Sequence, residues 1–126
     1  MVESLDPVVR EVDAFAVHME EDPLLRSTIV AVALFDTTPD WDVFVDRMER
    51  ATRLAPSFRS LLVHPPLRLG PLRRVPDPDF DLSWHLRRMA APAPHTLDEV
   101  LGFASTAGMT AFDVARPLWE FTLVED

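Results

Sequence analysis

From Phe80 to Arg87, large apolar and polar residues alternate one for one: Phe80, Leu82, Trp84 and Leu86 interleave with Asp81, Ser83, His85 and Arg87. A period of two predicts a strand with the first set facing a core and the second set on the opposite face. A second apolar run, Leu118, Trp119, Phe121, Leu123 and Val124, follows Arg116-Pro117 and stops at Glu125-Asp126. Pro117 fixes its own φ and biases the preceding residue away from helix, so this run should be entered in an extended conformation. Arg116 can reach a carboxylate such as Asp113, and the Trp119 indole N–H needs an acceptor once its ring is covered. The last third of the chain therefore reads as two strands and a rigid junction.

The remaining segments supply helices for those strands. Val8, Val9, Val12, Phe15, Ala16 and Met19 recur at helical spacing, which predicts an amphipathic helix between Asp6-Pro7, read as cap and first turn, and Glu21. Ser27 to Phe35 is short, β-branched and almost wholly apolar, the pattern of a strand covered on both faces. Asp40 should cap a helix whose stripe is Trp41, Phe44, Val45, Met48 and Ala51, with Asp46 and Arg50 paired on the wet side. Leu54-Ala55-Pro56 ends it, and Phe58 to Val63 reads as a strand. Prolines and glycine at 65, 66, 70 and 71 mark turns around a short peripheral strand near Leu72 to Val75. Thr96 and Glu99 have capping-box spacing for a helix from Leu97 to Ala107 that buries Val100, Leu101, Phe103 and Ala104 and ends at Gly108. Read in order, these segments predict an α/β (α+β) domain with helices packed on a sheet.

Length and charge narrow the function classes. At 126 residues the chain is one domain, long enough to bury roughly two thirds of its unfolded surface. The net charge of -9 argues against nucleic acid as a partner. Cysteine is absent, which removes disulfides, thiolate catalysis and Cys zinc sites. No apolar run approaches the length of a membrane span, and Met1 to Asp6 has no basic leader, so the expected location is cytoplasmic. All twelve basic residues are arginines, and six of them fall between Arg50 and Pro76, where there is no acid. Arg68, Arg73 and Arg74 could contact an anionic ligand, or this basic stretch could face the acidic amino terminus of its own chain.

Motifs for chemistry are few. His18, His64, His85 and His95 are scattered, so no helical metal pair forms and no metal site is expected. His18 can pair with Glu21 along its helix. His85 has two uses open to it, a general base beside a substrate or a structural ring needing one hydrogen-bond partner. Three glycines cannot make a phosphate loop. No catalytic residue is assigned.

Four blocks resemble the amino-terminal part of the wax ester synthase/diacylglycerol acyltransferase family: Asp13-Ala14-Phe15 through Glu20, Pro56-Ser57-Phe58-Arg59, Asp77 to Arg88 with its Phe80-Asp81-Leu82, and Phe112 to Phe121 with its Pro117-Leu118-Trp119. The chain departs from the family at Pro23-Leu24-Leu25-Arg26, where a proline-methionine-histidine entry is usual, and at Leu72 to Val75, where a tryptophan is common. The resemblance implies an incomplete two-layer domain of the chloramphenicol acetyltransferase-like kind, spanning residues 1–126 and ending before the expected HHxxxDG motif. It implies acyl-CoA as a substrate with no bound cofactor, and acyl transfer to diacylglycerol or a long-chain alcohol. The chain would be a truncated member inactive alone, a subunit completed by a catalytic chain, or a non-catalytic lipid or acyl-CoA binder. It further implies positioning roles for Phe80, Asp81, His85, Arg116, Pro117, Leu118 and Trp119. Partners would be a carboxyl-terminal acyltransferase half or a second copy, together with lipid substrates, placing the protein at the periphery of a membrane or lipid body.

Overall fold

The computed structural model describes residues 6–26 and 28–126. The regular elements among them are α1 (Glu11–Met19), α2 (Trp41–Leu54), β1 (Ser60–Val63), β2 (Arg73–Pro76), β3 (Leu86–Ala90), α3 (Leu97–Met109) and β4 (Phe121–Glu125). The architecture is mixed α/β, as expected, but the strands form two separate pairs. β1 and β2 are antiparallel, with Leu61 opposite Val75, and β3 and β4 are parallel, with Arg88 opposite Leu123. Because α3 lies between β3 and β4 in the chain, the second pair is a β-α-β unit.

Helix α2 follows its sequence signals closely. Asp40 accepts the Val43 N–H at 3.0 Å, and Asp46 pairs with Arg50 at 2.6 Å. Its buried residue is Thr52, which continues the Trp41, Val45, Met48 stripe by one more turn. At α3 the capping box forms, with the Glu99 carboxylate accepting from both the hydroxyl and the N–H of Thr96.

Several expectations are corrected. Helix α1 begins at Glu11, because Pro7 to Val9 is held elsewhere. The Pro7 carbonyl accepts the Arg74 N–H at 2.7 Å, the Val9 N–H donates to the Leu72 carbonyl at 2.9 Å, and Val8 bridges to Arg73. These three residues extend the β1–β2 sheet, and backbone pairing there outweighs one further helical turn. Asp6 accepts from the Val8 N–H instead of capping the helix. The His18 ring turns instead to the backbone and to a second ring: its Nδ1 lies 2.9 Å from the Ala14 carbonyl oxygen and it meets His64 edge-on at 5.4 Å. The strand expected from Phe58 starts at Ser60, since Pro56–Arg59 forms a 3-10 turn. Helix α3 passes Gly108 to end at Met109, and it buries none of its residues fully; Leu101 is exposed.

The two larger corrections concern the strands that were to carry the core. The alternating stretch does not run as one strand from Phe80. The Asp81 carboxylate accepts both the N–H and the hydroxyl of Ser83, and Leu82–Trp84 folds into a 3-10 turn, so regular pairing starts only at Leu86. The turn breaks the period of two, burying His85 and leaving Trp84 exposed. The expected strand over residues 27–35 is also missing: Thr28 to Phe35 has no regular structure and makes no backbone ladder among the described residues. Ser27 and residues 1–5, including the leader reading, lie outside the described residues.

The apolar core is correspondingly small. Val9, Leu72, Leu86 and Ala91 are its buried aliphatic members, whereas Ile29, Leu34, Phe35 and other large side chains stand in solvent. The chain exposes 9355 Å². A fully packed monomer of its mass exposes roughly 6,800 Å², so burial falls short of the two thirds expected from length.

Candidate positioning site around His85 and Trp119

Three of the four sequence blocks meet at one point. The His85 ring is sandwiched between Phe80, 5.3 Å away with planes 17° apart, and Trp119, 4.4 Å away with planes 15° apart. The Phe58 and Phe121 rings meet Trp119 edge-on at 5.2 Å and 5.8 Å. The Trp119 indole N–H donates to the Phe58 carbonyl at 2.8 Å, supplying the acceptor its burial requires.

Backbone and side chain of His85 hold the entrance of β4 together. Its carbonyl accepts the Phe121 N–H at 2.7 Å, and its Nδ1 donates to the Trp119 carbonyl at 2.8 Å. The next residue, Leu86, is buried and begins the parallel ladder opposite Phe121. Pro117 is buried at the junction and Leu118 is half-buried beside it. At the far end of the pair, Arg88 donates from Nε and Nη2 to the two oxygens of Glu125 at 2.7 and 2.9 Å, which holds that carboxyl below its usual range.

Arginines frame the hub. The Arg59 guanidinium lies 4.7 Å above the Phe80 ring, bonds the buried Thr52 hydroxyl at 3.1 Å and pairs with Glu49 at 3.0 Å. Arg116 stacks over Trp84 at 3.8 Å and pairs with Asp113 at 3.4 Å. The Asp81 carboxyl is held low, chiefly by the hydroxyl and then the backbone N–H of Ser83. Phe80, Asp81, His85, Arg116, Pro117, Leu118 and Trp119 thus all lie in or beside the hub. Phe58, Arg59 and Thr52 were not among the expected site residues, although the Pro56 to Arg59 block and the α2 stripe both pointed there.

Arg68, Arg73 and Arg74 are placed differently. Arg73 and Arg74 are adjacent on β2 and so point to opposite faces. Arg74 donates to the Asp6 carbonyl at 3.3 Å, and Arg68 lies 3.9 Å from Glu21. The basic stretch thus meets the acidic amino-terminal region at two places.

A second feature is a cleft of about 620 Å³ bordered by Thr28 to Phe35, helix α3 and residues Trp119 to Asp126. Val30 closes on α3 where Gly108 leaves room: a Cβ on Gly108 would lie 2.9 Å from the Val30 Cγ2. Arg26 fastens the start of this segment by donating to the Met109 carbonyl at 2.8 Å. Among the described residues no three His, Asp or Glu gather as metal ligands, and no helix is long and apolar enough to cross a membrane.

The aromatic hub thus locks the entrance of a parallel β-α-β unit within a mixed α/β domain. The model of the wax ester synthase/diacylglycerol acyltransferase catalytic domain matches residues 9–126, and the chain belongs to this family. A protein of Mycobacterium tuberculosis bearing a diacylglycerol O-acyltransferase name is 45% identical over 106 residues, covering 84% of this chain and 22% of the relative. Another from the same species is 34% identical over 121 residues, covering 90% of this chain and 23% of the relative. The solved wax ester synthase/diacylglycerol acyltransferase of Marinobacter aquaeolei superimposes with a TM-score of 0.65 at 26% identity, over 95% of this chain and 30% of that one. The chain spans less than a third of the length of each of these proteins.

Proposed function

We propose that these residues are the amino-terminal part of an acyl-CoA:diacylglycerol or long-chain-alcohol O-acyltransferase, inactive alone, whose general base lies in the HHxxxDG-bearing remainder of the domain. The observation that carries the reading is the family match over residues 9–126, combined with coverage of under a third of the relatives. In the reaction, a base takes the proton of the acceptor hydroxyl, its oxygen attacks the thioester carbonyl, and the C–S bond breaks to release CoA thiol. The residues at the hub contribute geometry to that chemistry. Phe80, His85 and Trp119 fix where β4 starts, Pro117 and Leu118 seat the entry, and Asp81 and Arg116 brace the turn before β3. His85 serves here as a structural ring, since it is buried between Phe80 and Trp119 while its Nδ1 holds the Trp119 carbonyl. Acyl-CoA and a lipid acceptor are the substrates, and the completed protein works at the edge of a membrane or lipid body.

The test is an ester-synthesis assay with palmitoyl-CoA and either diacylglycerol or hexadecanol, following thiol release and lipid product together. The 126-residue chain alone should give neither. A fusion to the corresponding remainder of the Marinobacter enzyme should give both. Ester formation by the chain alone would sink the inactive reading and make His85 the leading candidate for the base.

A further inference from the structure

Of the three arginines expected to contact an anion, the β1–β2 hairpin holds one against the aromatic hub. Residues directly opposite each other in an antiparallel pair share a face, so Arg74 lies with its partner Leu62 and with Ser60, two residues before Leu62. Arg73 and its partner Val63 take the other face. Arg68 turns to Glu21. Where the Arg74 face meets the hub there is a hollow of about 240 Å³, bordered by Arg74 and Ser60 and walled by Leu62, Phe58, Leu118 and Trp119.

The polar groups of this hollow complement one kind of ligand. Arg50, Arg53 and Arg59, earlier in the same basic stretch, are each matched by a carboxylate. Among the described residues no carboxylate pairs with Arg74; its guanidinium donates to the Asp6 carbonyl and retains further N–H donors. A half-buried cation without a counter-charge is a costly arrangement that a bound anion relieves. Ser60 supplies the opposite polarity. Its hydroxyl donates to the Pro56 carbonyl at 2.7 Å, which leaves its oxygen to accept. Ser60 and Arg74 are diagonal neighbours across the strand pair, a spacing of about 7–8 Å. A small molecule with an anionic group at one end and a hydroxyl a few bonds away spans that gap. Inorganic phosphate would leave the apolar walls wet, and a neutral alcohol would leave the charge unmatched. A long acyl chain does not fit, because the hollow has the volume of only about eight waters at roughly 30 Å³ each, below the roughly 300 Å³ at which drug-sized sites begin.

We propose that the hollow between the Arg74 face of the hairpin and Trp119 binds a short hydroxycarboxylic acid of about four to six carbons. The carboxylate accepts from the Arg74 guanidinium, the hydroxyl donates to the Ser60 Oγ, and the carbon chain lies against Leu62, Leu118 and Trp119. A ligand held in this way ties the β1–β2 hairpin to the segment that enters β4.

The test is a titration of the isotope-labelled 126-residue chain at pH 7 and fixed ionic strength, read by nitrogen–proton correlation spectra. The probe is 3-hydroxybutyrate, with butyrate, 1,3-butanediol, phosphate and chloride run beside it. 3-Hydroxybutyrate should shift the Trp119 indole N–H and the Leu62 and Arg74 amides along one saturable curve. Butyrate, which has no donor for Ser60, should bind about threefold more weakly, and butanediol should not saturate. Arg74→Gln should weaken binding about tenfold or more, whereas Arg73→Gln, on the other face, should change it less than about twofold. Should Arg74→Gln also lower the melting temperature, Overhauser contacts from the ligand methyl protons to Trp119 and Leu62 decide in its place; they are expected, and their absence overturns the site. Equal saturation by phosphate, which would mark an unselective anion patch, equal losses in Arg73→Gln and Arg74→Gln, or no saturation by 3-hydroxybutyrate would each overturn it as well. Binding is read here without ester synthesis, so the site stands or falls apart from the acyltransferase reading.

Discussion

The imidazole of His85 lies 4.4 Å from the Trp119 indole in near-parallel stacking, and its Nδ1 sits 2.8 Å from the Trp119 carbonyl oxygen. A carbonyl oxygen only accepts, so Nδ1 must carry the proton. In the neutral ring this leaves Nε2 without one. Long-range nitrogen–proton correlation spectra of the chain at pH 8 should therefore show His85 as the Nδ1–H tautomer; an Nε2–H pattern would contradict the placement.

Removing that donor separates stacking from hydrogen bonding. His85→Phe keeps an aromatic ring between Phe80 and Trp119 but leaves the Trp119 carbonyl unpaired, at a cost of about 1–3 kcal/mol. His85→Asn retains an N–H donor and sacrifices ring contact. Urea denaturation monitored by circular dichroism should show both variants less stable than the parent. Equal stability of His85→Phe and parent would mean that the bond contributes nothing.

Trp119 carries the larger share of the hub, touching His85, Phe58 and Phe121 and donating to the Phe58 carbonyl. Trp119→Ala should destabilise the chain by about 2–4 kcal/mol, toward the lower end of aromatic truncations because the residue is half-buried. Trp119→Phe should cost less, retaining most of the ring contact while losing the N–H.

Glu49 gives the chain a defined acid sensitivity. Hydrogen bonds from Arg59 and then Arg53 hold its carboxyl below the ordinary 4.5. A lowered folded pKa means that its stabilisation is complete above the ordinary value and is lost as pH falls through the folded one. The melting temperature of the parent should thus decline below pH 4.5 more steeply than that of Glu49→Gln. Parallel profiles would show that the Arg59 and Arg53 contacts are not maintained in solution.

Gly108 opposes two effects of similar size. Alanine in a helix is favoured over glycine by about 1 kcal/mol, but its Cβ would meet the Val30 Cγ2 at 2.9 Å. Gly108→Ala alone should change stability by less than about 0.5 kcal/mol. Introduced into Val30→Ala, the same substitution should recover about 1 kcal/mol, and equal effects in the two backgrounds would mean that the contact is not made.

Local signals were legible wherever their causes were local. Asp40, Thr96 and Glu99 cap the helices because their hydrogen bonds close within three residues. The Arg116 to Asp113 pair was readable for the same reason. Residues 80–85 were not, because an alternating pattern does not reveal that Asp81 will bond Ser83 and replace a strand with a turn. The burial of His85 depended on Trp119, which is 34 residues away. Residues 28–35 read as a strand in sequence yet are unpaired here, since strand propensity becomes structure only when a neighbouring backbone accepts the ladder. Family blocks located the hub more accurately than periodicity did, placing its parts without saying how they met.

The bare residues 29–35 also have a consequence for the life of the chain inside a cell. Ile29 is 94% exposed, and Leu34 and Phe35 stand out beside it, forming the kind of sticky surface that chaperones hold and proteases cut. A copy in which these side chains stay bare would be withdrawn from circulation quickly. Its half-life after synthesis is arrested would then act as a census of how much of it has those side chains covered.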